Sequence, residues 1–581
     1  MSSHKTFHGP ARFALVAILV LVLAAVAGAG TAYAKSGGAL LRSKHIVVIY
    51  QENHSFDNLW GSWRGVRGLS RADTAHTLQV KQDGSLFHCL PQDDVNLTAP
   101  DPLSDQCQDT NPTDGSTFHS HFFNQRRASN DGNPYRVDAY IPATAKTCPD
   151  PSTFGPANGV RDPNGLPGGC TRDLVHRFYQ EQYQLDGGRQ DRYTTGSDAL
   201  GLTQGYYATR SLPVYRYLHR RGHPRYAISD AFFQSAFGGS FLNHQWLIAA
   251  ATPTYPNADK SGGPSDLHSV LDANGMPTSY PLYKAMGPVK DGALTALCGG
   301  STPAGLGCGD YAVNTIQPAF QPFSSPTAAK LPAQTAPTIG DRLSEKGVDW
   351  AWYSGGWSNA NGNIDAPGWT NGSGPACSDP NTATGAAFPN CPGKLFQYHH
   401  QPFNYFASFA PGTAQRAAHL RDEAEFLAAV KGSKWRCDLK PVSFIKPIGE
   451  ENEHPGYASE SSGSSHLVDL LSAIRGSGCA RHTMVVVTYD EFGGQWDHVT
   501  PPGQGGAPGP HDVWGPSTRI PALVLAPHLP GDFVVDDTQY DTTSIMATIE
   551  RRFGLAPVSS RDAAVNDLSH VFGAGSPHHH H

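Results

Sequence analysis

Three continuous apolar runs rich in β-branched residues stand out along the chain. They are His45–Tyr50, Thr483–Tyr489 and Ile520–Ala526. An unbroken apolar run of this length is typical of a strand that is buried on both faces. The first two runs end in polar residues, Gln51-Glu52-Asn53 and Asp490-Glu491. The pattern therefore predicts two buried strands that place acidic side chains at their carboxyl ends.

Segments with helical periodicity surround these runs. They are Asp173–Gln184, Leu212–Arg221, Glu423–Val430, His466–Arg475 and Thr543–Phe553. Apolar strands separated by helices predict an α/β fold, with a mostly parallel central sheet and helices on both faces. Ligands of such sheets collect beyond the carboxyl ends of the strands, where both acidic clusters fall.

The domain organisation follows from two stretches with little periodicity. Residues 83–172 and 252–394 are rich in Gly, Pro, Ser, Thr and Cys. We interpret them as long loop insertions in a single domain over residues 35–575, because no linker-like break separates two halves. Residues 576–581 end in four histidines and have the composition of a purification tag.

The amino terminus has the pattern of an export signal. Lys5 and Arg12 precede an apolar run, Phe13–Val26, and Ala32-Tyr33-Ala34 supplies a small-x-small cleavage pattern. We predict a signal peptide over residues 1–34 and a secreted or periplasmic bacterial protein. A retained membrane anchor is the alternative, although the run is shorter than the about 20 residues that a span requires.

The charge balance argues against nucleic acid as a partner. The formal net charge of the 581 residues is −7. Removal of residues 1–34 makes it −9, because Lys5 and Arg12 are lost and no acid is. Nucleic-acid binders normally carry a basic stripe, and no run of interleaved basic and aromatic residues occurs.

Ten cysteines fit the export prediction. They fall into sequential couples within Gly/Pro-rich stretches, and none forms a CxxC pair: Cys89, Cys107, Cys148, Cys170, Cys298, Cys308, Cys377, Cys391, Cys437 and Cys479. This usage favours loop-stapling disulfides in an oxidising compartment over a zinc ribbon or a redox motif. We expect five bridges between nearest neighbours, although the sequence alone leaves the connectivity open.

Two clusters are candidate metal ligands. Glu52 and Asn53 follow the first strand, and a carboxylate beside an amide oxygen suits a hard cation or zinc. Asp490 and Glu491 follow the second strand and repel one another unless a cation lies between them. Ordinary turn chemistry and a solvated acidic turn are the alternatives.

Ser240 is the candidate nucleophile. It follows two glycines and opens the apolar helical segment Phe241–Ala251. The free N–H groups at a helix amino terminus favour phosphate, although the serine could instead serve only as the helix N-cap. Leu242 stands where the nucleophile elbow of α/β hydrolases has its last glycine, which disfavours an esterase.

The chain resembles the bacterial phosphoesterase family of non-specific phospholipases C and acid phosphatase A. The resemblance rests on Glu52-Asn53-His54-Ser55-Phe56-Asp57, on Gly238-Gly239-Ser240 with Asn243, on Asp490-Glu491 with Gly493-Gly494, on Asp497-His498-Val499 with Pro501-Pro502, and on Gly515, Arg519 and Pro521. Three further segments look like the acid phosphatase branch: Asp173–Gln182, Tyr398–Tyr405 and His454-Pro455-Gly456-Tyr457. Ser240 also stands where phospholipases C usually have Thr.

The resemblance implies an alkaline-phosphatase-like fold and a set of site residues. One divalent metal ion would be held by Glu52, Asn53, Asp490, Glu491 and the Ser240 oxygen. Four histidines, His176, His399, His400 and His454, would surround the phosphate, one of them as proton donor to the leaving group. Asn243 would bind a non-bridging oxygen, and His498 would join the substrate site.

The sequence thus predicts a secreted acid phosphatase that acts on small phosphate monoesters through a phosphoserine at Ser240. A phospholipase C that acts on phospholipid phosphodiesters is the main alternative. A secreted binding protein without turnover is the alternative from another class. A proton-donating imidazolium predicts activity at acidic pH.

Overall fold

The computed structural model describes residues 37–91, 107–120, 134–139, 143–144, 173–258, 265–299, 302–323, 327–363, 396–455 and 458–573. Within these ranges eight strands form the central sheet. They are β1 His45–Gln51, β2 Tyr226–Ser229, β3 Trp350–Ser354, β4 Leu420–Asp422, β5 Val442–Lys446, β6 Thr483–Tyr489, β7 Ala522–Leu525 and β8 Phe533–Asp536. Three short strand pairs lie outside this sheet: Cys107–Thr110 with Thr117–Ser120, Tyr135–Arg136 with Gly205–Tyr206, and Phe232–Phe233 with Tyr540–Asp541.

The strand order places β1 near the middle of the sheet. The order is β8-β2-β7-β6-β1-β5-β3-β4. β7 runs antiparallel to both of its neighbours, and every other neighbouring pair is parallel. The prediction of a mostly parallel sheet is confirmed. Since β1 and β6 are parallel with Gln51 opposite Tyr489, their acidic ends lie side by side.

Helices cover the sheet. Besides the helical residues 37–40, those in the described residues are α1 Phe56–Leu59, α2 Thr74–Thr77, α3 Phe178–Leu185, α4 Pro213–His219, α5 Ser240–Ala249, α6 Ile339–Glu345, α7 Trp357–Ala360, α8 Ala414–His419, α9 Glu423–Gly432, α10 Glu460–Gly476, α11 Thr543–Phe553 and α12 Ser560–Ala564. None of them is both long and apolar enough to cross a membrane.

The two faces of the sheet carry two separate cores, because side chains alternate along each strand. From β1, Ile46 and Val48 pack into the core that contains α5, α6 and α11. Val47 and Ile49 point the opposite way, into the core with α4, α9 and α10. All four are fully buried. The prediction of helices on both faces is therefore confirmed.

Element boundaries depart from the predictions in a few places. The third predicted strand begins at Ala522 rather than Ile520, and the first predicted helix begins at Phe178 rather than Asp173. The prediction of an insertion over residues 252–394 fails for residues 350–354, because they form β3 between β5 and β4. This strand is Trp-Ala-Trp-Tyr-Ser, whose aromatic residues give no period-2 alternation.

Three disulfides lie in the described residues. They join Cys89 to Cys107, Cys298 to Cys308 and Cys437 to Cys479. Nearest-neighbour pairing is thereby confirmed for these six cysteines. The remaining predicted pairs, Cys148 with Cys170 and Cys377 with Cys391, lie outside the described residues.

Candidate active site

The carboxyl ends of β1 and β6 meet the amino end of α5. The hydroxyl oxygen of Ser240, the first residue of α5, lies 3.2 Å from each of three oxygens: Glu52 Oε2, Asn53 Oδ1 and Glu491 Oε1. The N-cap of this helix is Gly239, and the Ser240 side chain makes no capping bond. The alternative that Ser240 serves as an N-cap is therefore wrong.

A tight glycine turn brings α5 to this position. Gly238 has a φ of +87°, which glycine adopts without steric cost. A Cβ atom at Gly238 would lie 2.7 Å from the backbone nitrogen of Phe178. The two glycines before Ser240 are thus explained by close packing against the start of α3.

Three carboxylates and one lysine are buried at this point. Glu52, Asp490 and Glu491 are each fully buried. Lys446, the last residue of β5, also has no exposed surface, and its Nζ contacts Glu52 Oε1. His400 Nε2 lies 2.9 Å from the same oxygen. Without a bound cation, three acids share a single buried ammonium group.

The excess of buried acids over buried cations shifts the pKa values of these acids. Burial raises the pKa of Asp490 to about 8, with the charge of Glu52 adding to the effect. Burial and the adjacent Asp490 hold the pKa of Glu491 well above its usual range. Burial alone would also raise the pKa of Glu52, but Lys446 and His400 outweigh it and hold that pKa well below the usual value.

The donor set fits a divalent cation. Oxygens of Glu52, Asn53, Ser240 and Glu491 converge as described above, and Asp490 Oδ2 is buried without a hydrogen-bond partner among the described residues. Carboxylate, amide and hydroxyl oxygens suit hard cations, and neighbouring imidazoles extend the range to zinc. Glu52, His244 and His400 form a cluster whose ligand atoms lie within 4.8 Å of one another.

Two of the predicted histidines contact Asn53. Its amide nitrogen lies 2.8 Å from His454 Nε2 and 3.4 Å from His176 Nε2. Asn53 has a φ of +59°, in the left-handed region that asparagine tolerates better than most residues. Burial lowers the pKa of His454 to about 3, although the charge of Glu52 opposes the shift.

A cavity of about 490 Å³ lies over Ser240. His176, His399 and His454 line it, together with Arg177, Tyr280 and Tyr398. His400 is not part of the lining, because its ring stacks on His244 with centroids 5.4 Å apart. Three of the four predicted histidines therefore face the cavity, and His400 lies behind Glu52.

Asn243 and His498 lie elsewhere. Asn243 Nδ2 donates to the carbonyls of Ala236 and Gly238, and Oδ1 accepts from the Ala236 amide, so this side chain braces the turn before α5. His498 Nδ1 lies 2.5 Å from Asp57 Oδ2. Neither residue lines the cavity.

Arg519 joins the acids Asp57 and Asp497 in one buried ion cluster. Its buried guanidinium donates to Asp497 Oδ2 at 3.0 Å and to Asp57 Oδ1 at 3.1 Å. This ion cluster connects the segment after β1 to the segments after β6 and before β7. These contacts hold the three loop segments in position.

Lys446 and His244 are site residues that the sequence reasoning missed. His244 follows Ser240 by four residues, one helical turn, and its Nδ1 lies 2.7 Å from the Ser240 carbonyl oxygen. That spacing could have identified it. Lys446 ends a short apolar run, Val442–Ile445, and only the pairing of β5 with β1 places it beside Glu52.

Comparison with known proteins gives the family of the chain. The model of the Phosphoesterase family matches residues 43–155 and 149–556. Phospholipase C A of Mycobacterium tuberculosis is 23% identical over 571 residues, which cover 93% of this chain and 79% of that protein. Non-specific phospholipase C6 of Arabidopsis thaliana is 29% identical over 145 residues, 22% of this chain and 28% of that protein.

Among solved structures, a protein in the alkaline phosphatase superfamily from Vibrio parahaemolyticus overlaps with a TM-score of 0.20 and 14% identity. The overlap covers 39% of this chain and 50% of that one. A similarity of this size carries no argument about function.

The family match and the phospholipase C relatives define the class of the chain, the hydrolases that act on phosphoric esters. The chain belongs to the Phosphoesterase family, whose model covers most of its length.

Proposed function

We propose that the chain is an exported acid phosphatase that hydrolyses phosphate monoesters with Ser240 as the nucleophile. The observation that carries the proposal is the position of the Ser240 hydroxyl. It lies 3.2 Å from three side-chain oxygens of the kind that coordinate divalent cations, and it borders a cavity that three histidines line. The three disulfides of the described residues favour an oxidising compartment.

In this proposal Glu52, Asn53, Asp490 and Glu491 hold one divalent cation together with the Ser240 oxygen. When bound, the cation lowers the effective pKa of the serine hydroxyl and neutralises phosphate charge. The Ser240 proton passes to an adjacent carboxylate, Glu491 or Glu52. Ser240 Oγ then bonds to phosphorus while the bond to the leaving oxygen breaks, which leaves a phosphoserine.

His176 is the proposed proton donor to the leaving oxygen. Its side chain is 18% exposed and lies at the cavity, with Nδ1 3.4 Å from Asp173 Oδ1. Burial lowers the pKa values of His399 and His454, so we assign both as neutral. His399 is the proposed donor to a phosphate oxygen, whereas His454 Nε2 accepts from the Asn53 amide and orients that ligand. In the second step His176 takes a proton from water, whose oxygen bonds to phosphorus while the bond to Ser240 Oγ breaks. The carboxylate returns its proton to Ser240 Oγ, and phosphate is released.

Phospholipase C activity is the second candidate. The relative from Mycobacterium tuberculosis carries that name, and its similarity extends over 93% of this chain. In that case the same Ser240 and acids would act on a phosphodiester, with a diacylglycerol as the leaving group.

Parallel assays on a phosphate monoester and on phosphatidylcholine test the two candidates. We expect faster release of phosphate from the monoester, with the maximum of kcat/KM below pH 7. Faster release of phosphocholine would instead assign the chain to the phospholipases C. A maximum above pH 8 would contradict the assignment of a protonated histidine. No turnover of either ester after loading with Mg²⁺, Ca²⁺, Mn²⁺ or Zn²⁺ would support a binding protein.

A further inference from the structure

Seven of the eight sheet strands begin at one edge, opposite the Ser240 cavity. The loops that precede β1, β2, β5 and β6 therefore lie together there. Direct contacts join them: the Lys44 amide donates to His482 O at 2.8 Å, and the Gly478 amide donates to Ser433 O at 2.6 Å. The disulfide Cys437–Cys479 links the last two loops.

This edge is strongly cationic, although the chain carries a net charge of −7. Six exposed cations lie on it: Arg42, Lys44, Arg221, Lys431, Lys434 and Arg481. None of the six has an acid within ion-pair distance among the described residues. By contrast, the acids Asp349, Asp438 and Asp532 at this edge already pair with Lys440, Arg436 and Arg225.

Helix capping does not account for this basic edge. Cations are commonly placed in the last turn of a helix, where they interact with its dipole. Of the six, Lys431 lies in the last turn of α9 and Arg481 in the short 3-10 helix Ala480–His482, whereas the other four lie in loops or beyond helix ends.

Apolar side chains are exposed among these cations. Trp435 stands between Lys434 and Arg436 and is 99% exposed, and Leu41 is 58% exposed. Trp435 lies two residues from the disulfide of Cys437, which restrains its loop. A shallow apolar cavity of about 150 Å³ opens at the same edge, lined by Pro224, Leu471, Ile474, Leu525 and Pro527 among others.

We propose that the basic edge docks on an anionic lipid bilayer, with Trp435 and Leu41 entering the headgroup region. Unpaired cations near such a surface are attracted by its negative potential. Tryptophan is enriched at the membrane–water interface. A polyanion in solution would use the cations but would give no reason for a fully exposed tryptophan beside them.

The path of the chain agrees with this orientation. Residues 37–44 lie at the basic edge and lead directly into β1. On a docked molecule the Ser240 cavity lies at the far edge of the sheet, about 20 Å away for a seven-residue strand, so its substrate arrives from the surrounding medium.

Vesicle flotation of the full chain carrying Ser240→Ala tests the proposal, because this variant separates docking from lipid turnover. We expect binding to vesicles of phosphatidylcholine with about one third phosphatidylglycerol, weakening as salt is raised. Lys434→Ala should weaken binding about five-fold, and Lys434→Ala with Arg481→Ala about 30-fold. Trp435→Ala should also weaken it and abolish a blue shift of tryptophan emission.

Lys284→Ala and Met286→Ala are the matched controls. Both residues are exposed, and they lie in the loop that follows Tyr280 on the cavity side. If the control variants lost as much vesicle binding as Lys434→Ala and Trp435→Ala, the proposal would be overturned. Binding to pure phosphatidylcholine vesicles as strong as binding to the anionic vesicles would also overturn it. Binding to a soluble polyanion such as heparin without binding to vesicles would also overturn it, and would assign the edge to a polymer.

Discussion

At the scale of single residues, the hydroxyl of Ser240 is the most informative group. It lies among Glu52, Asn53 and Glu491 and takes no part in capping its helix. Its removal therefore changes the chemistry of the site without removing a support of the fold.

We expect Ser240→Ala to eliminate ester turnover while the midpoint of thermal unfolding changes little. The matched control is Ser459→Ala, since Ser459 does cap α10 by accepting from the Ser462 amide. That control should lose about 1 kcal/mol of stability and keep its activity. Steady-state kinetics and calorimetry on both variants check this, and more than a few per cent residual turnover in Ser240→Ala would exclude Ser240 as nucleophile.

Lys446 provides a second prediction at this scale. Lys446→Met removes the buried partner of Glu52, and we expect the metal-free protein to lose about 3 kcal/mol, as when one partner of a buried pair is deleted. Lys440→Met is the control: Lys440 pairs with Asp349, whose side chain is 58% exposed, so a loss below about 1 kcal/mol is expected. Denaturant unfolding in the presence of a chelator measures both; equal losses would contradict a special role for Lys446.

At the scale of elements, the turn after β6 brings its acids against the end of β1. Gly493 has a φ of +63°, and a Cβ atom there would lie 2.2 Å from the Asn53 carbonyl oxygen. The two strand ends can approach this closely only with glycine at that position.

Gly493→Ala should therefore displace Asn53 from Ser240. Because misplacement by about 1 Å costs roughly 10²-fold in rate, we expect a loss of that size in kcat/KM. Gly222→Ala is a control with the same backbone strain, since Gly222 has a φ of +73° but no atom within 4 Å of the added Cβ. Activity should survive in the control; similar losses in both would show that strain and not the contact matters.

The interface of α9 and α10 carries a pH-dependent contact. Burial would lower the pKa of His466, but Glu423, whose Oε1 lies 2.7 Å away, outweighs burial and raises it to about 9. A histidine whose pKa is higher in the folded than in the unfolded state stabilises the folded protein. The full contribution is present at pH values below the unfolded-state pKa of about 6.5. This stabilisation is then lost as the pH rises through 9.

The free energy of unfolding should therefore fall between pH 6.5 and 9 by more than about 1 kcal/mol in the natural chain. His466→Gln should flatten this part of the profile, whereas His511→Gln, at an exposed position, should leave it unchanged. Urea unfolding at a series of pH values provides the test, and parallel profiles for the natural chain and His466→Gln would contradict the assignment.

The sequence predicts a strand of this sheet only when the strand is long enough to show a pattern. It does not predict which strands pair with one another. β1 and β6 are seven-residue apolar runs, and both were predicted together with their acidic ends. β2, β4, β5 and β8 have three to five residues each, too few to establish a period. Lys446 was missed for the same reason, since its position beside Glu52 follows from the pairing of two strands remote in the chain.

At the scale of the whole molecule, the site exists only when distant parts of the chain are joined. Its proposed ligands come from the segment after β1, from the first residue of α5 and from the segment after β6. β1 itself pairs with β5 from Val442 onward and with β6 from Thr483 onward.

A chain that ends at Gly476 should accordingly lack cooperative unfolding, because β1 loses a neighbour along its whole length. A chain that ends at Gly573 keeps every described element and should unfold like the full protein. Circular dichroism during thermal unfolding distinguishes them, and a sharp transition in the shorter chain would show that β1 is stable without β6.

The central position of β1 also affects the order of events during synthesis. β1 is the first of the eight sheet strands in the chain, and its partners β5 and β6 begin only at Val442 and Thr483. The side of His45–Gln51 that pairs with β6 lacks its partner until more than 400 further residues have followed. An apolar strand exposed for so long is prone to aggregate. The candidate site, which needs Asp490 and Glu491 after β6, can form only when most of the polypeptide has been made.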